Sequence, residues 1–183
     1  VRTFLTLFSV LVAFLLFTLL RTISASFEAG VDLAGVDRLV VSPKYSIIDL
    51  LPVSHKMEME RMQDVDAVAF QTWFGGTYQG PQGPFFPKFP VVPREWFDLY
   101  PEYGTRTGAV APASLVESLG WTVGQKIPIE GDIWYMNDGS RLWEFDLVGT
   151  YSVPEDSGGM GGVFLFNYDF FDEARAGAQG QVG

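Results

Sequence analysis

Residues Thr3–Leu20, TFLTLFSVLVAFLLFTLL, run for 18 positions without a charge between Arg2 and Arg21. As a helix rising about 1.5 Å per residue, the run spans about 27 Å, close to the roughly 30 Å hydrocarbon thickness of a bilayer. Leu, Phe and Val fall on every side of such a helix and leave no polar stripe. A helix apolar all round is buried either in a large core or in lipid. The chain beyond it is soluble in character, so we expect one membrane helix, residues 1–26, followed by one extramembrane domain, residues 27–183. The opening residue is Val1, and we expect a segment of a longer protein.

Two other fates for the run stay open. A secretory signal has an apolar region of about 7–15 residues and a small-x-small cleavage site. Ser24-Ala25-Ser26 offers such a site, and cleavage there would release a soluble exported protein beginning at Phe27. A helix buried in a soluble core is the other. The length of the apolar run favours a retained anchor.

Charge sharpens the division. Residues 1–26 carry only Arg2 and Arg21, leaving ten basic and 22 acidic side chains, net −12, for the rest. A domain that acidic repels nucleic acid and anionic headgroups, so a nucleic-acid partner is not expected. No cysteine is present, so the domain has to be held by its core. Each flank of the helix shows a single Arg, which specifies orientation only weakly.

Along the domain, Ile23–Gly35 continues the helix as an amphipathic extension. Asp37–Ser42 then reads as a first strand. Leu51-Pro52 opens the next element, and Ser54 is placed to N-cap a helix running to about Gln63. Its Met57, Met59 and Met62 are expected to fill a core, not to bind a metal. Asp64–Phe70 reads as a turn and then a strand through Trp73-Phe74, ended at Gly75-Gly76.

Residues 74–104 stand apart as an aromatic, proline-rich insertion or flap. Prolines at 81, 84, 87, 90 and 93 repeat every third residue, the period of polyproline II. Phe85, Phe86, Phe89, Val91 and Val92 are too apolar to be left in water. An edge strand or packed flap is expected, because proline cannot donate to a ladder. A partner- or ligand-contact surface over Trp73–Tyr103, including Trp96 and Phe97, is the alternative.

The remainder is more regular. Arg94–Tyr100 is a short helix between Pro93 and Pro101, and Thr107–Ala111 a short strand. Pro112–Leu119 is a helix with Ala113, Leu115, Val116 and Leu119 inward, ended by Gly120. Val123–Ile129 turns into a strand. Asn137-Asp138-Gly139-Ser140 is a hairpin signal between Ile133–Met136 and Leu142–Tyr151. Trp143, Phe145 and Leu147 alternate with Glu144 and Asp146, as in a half-buried strand. A glycine-rich loop, 157–162, leads to a strand at Val163–Phe166 and a helix from about Asp169 that includes Phe170, Phe171 and Ala174. The fold class is α+β.

No residue is assigned a catalytic, cofactor-binding or metal-binding role, and no cofactor is expected. His55 is the single histidine, it stands beside Ser54 at a helix start, and no Gly-x-Ser-x-Gly turn accompanies it. Zinc needs more ligands than one His and no Cys supply. Glu58/Glu60, Asp64/Asp66 and Glu155/Asp156 do not follow calcium-loop spacing. Gly124-Gln125-Lys126 is a strand entry, not a phosphate loop.

Taken in order, TGAVAPASLVESLGWTVGQKIPIEG, WEFDLVGTY and GGVFLFNYDFFDEAR, behind a membrane helix, resemble the extracytoplasmic core domain of MacB/FtsX-like ABC transporter permeases. VGQKIPI is similar to that family's Val-Gly-Asp-x-apolar strand, with Gln125 in place of the acid. FDLVGTY is similar to its apolar-x-Val-Val-Gly strand. MQDVDAVAF is similar to its helix-ending turn, with Asp64 where glycine is common.

The resemblance implies a mixed α/β extracytoplasmic domain of MacB periplasmic-core type, on the outer face of the inner (plasma) membrane. It implies a permease subunit without enzymatic activity of its own. ATP hydrolysis would belong to a separate ABC ATPase subunit. The implied partners are that ATPase, a second permease copy or paired permease, and a periplasmic adaptor or transported substrate. It also implies three further membrane helices beyond the exported domain. The rival function from another class is a membrane-anchored extracytoplasmic binding module without transport activity.

Overall fold

The computed structural model describes residues 2–33, 39–46, 49–96, 105–153 and 162–183. The chain divides into two compact units, one holding the N-terminal helix and the other the domain from Ser42 onward.

The first unit is the helix α1, Arg2–Leu33. Its Arg2–Ile23 stretch is 22 residues long with a mean hydropathy of 2.5, long and apolar enough to cross a membrane. The helix continues beyond the apolar run, as expected for Ile23 onward. Gly35 lies outside the described residues, as do Asp37 and Arg38 of the expected first strand. The described remainder of that strand, residues 39–42, is irregular, with Leu39 and Val40 exposed. Branched apolar residues favour a strand only where a neighbouring strand completes the ladder.

The second unit is mixed α+β. In order come β1 (Leu51–Pro52), α2 (Ser54–Met59), β2 (Gly76–Thr77), β3 (Lys88–Val91), α3 (Pro93–Trp96) and β4 (Gly108–Pro112). Then follow α4 (Ala113–Leu119), β5 (Lys126–Gly131), β6 (Leu142–Tyr151), β7 (Phe164–Asn167), α5 (Tyr168–Ala174) and β8 (Gln181–Val182). Six strands form one sheet in the order β2-β5-β6-β4-β7-β3, while β1 and β8 form a separate antiparallel pair. Within the large sheet β4 runs parallel to β6 and β3 parallel to β7, and the other pairs are antiparallel.

The sheet bends until its two outer strands share one segment. Gln71 bridges Val91, and the Thr72 and Phe74 amides donate to the Pro90 and Lys88 carbonyls of β3. Two residues later the same segment is β2, paired with Glu130 and Gly131 of β5. The seam between β3 and β2 is bridged by Lys88, whose Nζ donates to the Gly76 carbonyl at 3.0 Å and to the Phe86 carbonyl at 2.8 Å.

Alternation along the strands fills this closed sheet. Trp143, Phe145 and Leu147 of β6, Ile127 and Ile129 of β5, and Phe164 and Phe166 of β7 all point inward and are fully buried or nearly so. Ala109 and Ala111 of β4 lie between β6 and β7, and their small size lets the Phe145 and Phe166 rings meet across them at 4.3 Å. Phe74 occupies the centre, with its ring 5.2–6.2 Å from Trp143, Phe145, Phe166 and Phe171. Val91, Val110 and Leu165 form a smaller cluster on the other face of β3, β4 and β7.

Several local expectations are met. The proline-rich stretch supplies β3, an outer strand, and buries Phe86 and Val91, with Phe89 and Val92 half-buried, but Phe85, expected to be covered, is exposed. The helix after Pro112 ends at Gly120, which adopts φ 64°. Leu115, Val116 and Leu119 pack on the core, whereas Ala113 is exposed. No atom lies within 4 Å of where a Gly120 Cβ would stand, so the cost of a side chain there is backbone strain alone. Gly120→Ala is expected to lower stability by about 1 kcal/mol, read as a shift of the urea midpoint at unchanged slope.

Others are corrected. The hairpin turn at 137–140 forms, with the Met136 amide on the Ser140 carbonyl at 2.8 Å and Gly139 at φ 83°. Yet β6 pairs with β5, not with Ile133–Met136. The alternating Ile127 and Ile129 match the inward face of β6, while Ile133 and Tyr135 stay exposed. Met57 and Met62 are exposed, because α2 is six residues long and buries none of its side chains. Ser54 is the first residue of that helix and Val53 its N-cap, without a side-chain capping bond. Residues 65–70 are irregular, and Gly76 begins a strand where a break was expected. A Cβ on Gly76 would stand 2.9 Å from the Glu130 carbonyl, so glycine permits the close pairing with β5.

Candidate functional site

Three features carry functional weight, each built from residues already placed. The first is the apolar helix. Four of its hydroxyls are returned to its own backbone: Thr6 donates to the Arg2 carbonyl, Ser9 to Thr6, Thr18 to Phe14 and Thr22 to Thr18, at 2.8–3.0 Å. In hydrocarbon no water is present to satisfy a polar group, so such internal bonds suit a lipid environment. Phe4, Leu7, Phe14, Phe17 and Leu20 are each more than 60% exposed, on several sides of the helix.

The second is the aromatic stretch. Phe74, Tyr78 and Phe86 are built into the core, where Tyr78 accepts a hydrogen bond from the Trp121 indole at 2.9 Å. Trp73 and Phe85 are exposed. Trp73 meets Phe89 edge-on at 5.3 Å, and a Cβ on Gly75 would stand 2.5 Å from Ile133 and 3.6 Å from the Trp73 indole nitrogen. Trp73 and Phe89 therefore form an outward apolar pair, and exposed Ile133 packs over Gly75 nearby. The Trp96 side chain and residues 97–104, with Phe97, lie outside the described residues.

The third is a cluster at the end of α5 that residue-by-residue reading of the sequence missed. Asn167 caps α5 by accepting from the Asp169 and Phe170 amides. Two turns on, at the other end of α5, Arg175 is fully buried. Its guanidinium lies 4.5 Å from the Phe171 ring centre and 4.9 Å from that of Trp134, and is paired with Asp172. Arg175 Nη2 also donates to the Gln181 carbonyl at 2.8 Å, while Nε and Nη1 have no hydrogen-bond partner and face rings. The Tyr168 hydroxyl lies 3.1 Å from both Asp172 and the Gln181 carbonyl. Burial, reinforced by the Asp172 charge, pushes that phenol well above its ordinary pKa. The Asp172–Arg175 spacing of three, one helical turn, is the trace of this cluster in the sequence.

The stretches that carry the family resemblance place their charged residues structurally. Lys126 of VGQKIPI and Asp146 of FDLVGTY face each other in register across β5 and β6, 3.2 Å apart. The Thr107 hydroxyl, then Lys126, hold the Asp146 carboxyl below its ordinary range.

His55 is exposed on the first turn of α2, and Glu58, Glu60, Asp64 and Asp66 are exposed around its end. Among the described residues no three His, Asp or Glu side chains gather as a metal site would need. Glu155 and Asp156 lie outside them. Compared with models of known protein families and with curated proteins, the chain matches none.

Proposed function

We propose that this chain is part of the permease subunit of a MacB/FtsX-type ABC transporter, comprising its first membrane helix and its extracytoplasmic domain. The observation that carries this is the placement of the three resembling stretches. They form β4–α4–β5, β6 and β7–α5, whose four strands are neighbours in one sheet, and they follow an apolar helix in the chain. In this role the domain is not an enzyme. It couples motion driven by a partner ATPase to export, or to partners outside the membrane, and it works as a pair of permease subunits in the inner membrane.

The test is purification of the tagged protein from native membranes in mild detergent. An ABC ATPase is expected to co-purify at a fixed stoichiometry, and its ATPase activity should respond to the permease. Absence of any ATPase counts against the proposal. Sidedness is tested separately. Because the chain has no cysteine, Glu117→Cys introduces a single thiol on the exposed face of α4. An impermeant maleimide applied outside intact cells is expected to label it. An N-terminus at Phe27 in the mature protein would instead indicate cleavage and release.

The outward pair of Trp73 and Phe89 favours a second reading, a membrane-anchored binding module. Under it, Trp73→Ala abolishes ligand capture without lowering stability, and no ATPase accompanies the protein.

A further inference from the structure

We propose that Asp172, Arg175 and Tyr168 form a polar lock that clamps β8 onto β1, so that both strands move with α5 as one body. Neither strand belongs to the six-stranded sheet. Their ladder has two rungs, Leu51 opposite Val182 and Pro52 opposite Gln181. A pair that short is not stable by itself.

The bonds that hold it come from outside the ladder. Gly180 donates its amide to both Asp172 oxygens, at 2.9 and 3.0 Å. Its carbonyl accepts from the Val53 amide at 2.8 Å, directly after β1. The Gln181 carbonyl accepts from Arg175 and from Tyr168. The Gly183 carbonyl accepts from the Trp73 amide at 2.9 Å. Asp172 thus joins the cation that grips Gln181 to the amide beside it, and a charge-assisted network of this kind is stronger than neutral bonds of equal number.

The lock is anchored at its other end. Phe171, between its members, contacts Phe74, Trp143 and Phe166 in the core. Asn137 holds the same helix end by donating its amide to the Ala174 carbonyl and its side chain to Glu173. Arg175 is therefore fixed to the core on one side and to β8 on the other. A wholly buried guanidinium is a costly clamp compared with an apolar one, and its return is a single geometry. The inference holds for an anchored binding module as much as for a permease.

Amide hydrogen exchange on the full chain in detergent micelles tests it. In the wild type, the Val53, Trp73 and Gly180 amides are expected to be as protected as core amides such as Leu147 and Phe164. Asp172→Asn combined with Arg175→Met removes both charges and keeps apolar bulk against Trp134 and Phe171. It should speed exchange at Val53, Trp73 and Gly180 by about 100-fold or more, while Leu147 and Phe164 stay unchanged. Unchanged protection at the strand pair, or equal loss across pair and core, overturns the lock. Tyr168→Phe keeps the ring and removes one hydroxyl, so it tests the same point should the double variant not fold. About fivefold faster exchange confined to the strand pair is expected, and no change overturns the proposal.

Discussion

Phe74→Ala is expected to destabilise the domain by about 3–5 kcal/mol, the range for removing a fully buried Phe. The ring touches four others, from β6, β7 and α5, so no single neighbour can fill the space it leaves. Against a total stability of about 5–15 kcal/mol for a domain, this is enough to populate the unfolded state. Phe85→Ala is the matched control: the residue is 77% exposed and should change stability by less than about 0.5 kcal/mol. Guanidinium unfolding of the full chain in detergent, followed by tryptophan fluorescence, separates the two. Equal shifts would mean that Phe74 is not central to the core.

The second large effect is expected from pH. Lys88 is 2% exposed, and burial lowers its pKa from 10.5 to about 8, with Asp132 pulling the other way. Below pH 8 the amine is charged in both states, and folding bears the cost of taking that charge out of water. Between pH 8 and 10.5 the folded amine releases its proton while the unfolded one keeps it. The unfolded state then binds more protons, so stability rises with pH, by up to about 1.4 kcal/mol per unit and about 3 kcal/mol in all. Tyr151 and Tyr168 act in the opposite sense above pH 10, since burial raises both phenols and the unfolded chain ionises first. The clean window is therefore pH 8–10. Denaturant midpoints measured there should climb for the wild type and stay level for Lys88→Met. A wild-type midpoint that falls across the window would sink this account of Lys88.

The local pattern of the chain was informative wherever a strand or helix is held by its own periodicity. The alternation of Trp143, Phe145 and Leu147 placed β6 and its buried face, and Gly120 marked the end of α4. The apolar run from Thr3 was legible for the same reason. What depended on distant partners was not. Leu39–Val41 looks as strand-like as β4 but pairs with no strand among the described residues, and Ile133–Met136 lost β6 to Lys126–Gly131. Closure of the sheet through Gln71–Thr77 joins residues that no local period connects. Arg175 resembles any surface arginine at a helix end until Trp134, Phe171 and β8 enclose it.

The seam closed by Gln71–Thr77 also restricts how anything can bind this domain. A sheet with open outer strands offers unpaired amides and carbonyls on which another chain can extend the ladder, including a second copy of itself. Here the outer side of β3 is already occupied by Thr72 and Phe74, and that of β2 faces the amine of Lys88. Among the described residues the large sheet therefore gives little purchase to an added strand, and a partner has to recognise side chains such as Trp73 and Ile133. The same arrangement limits edge-to-edge self-association of a protein that has no cysteine to hold it.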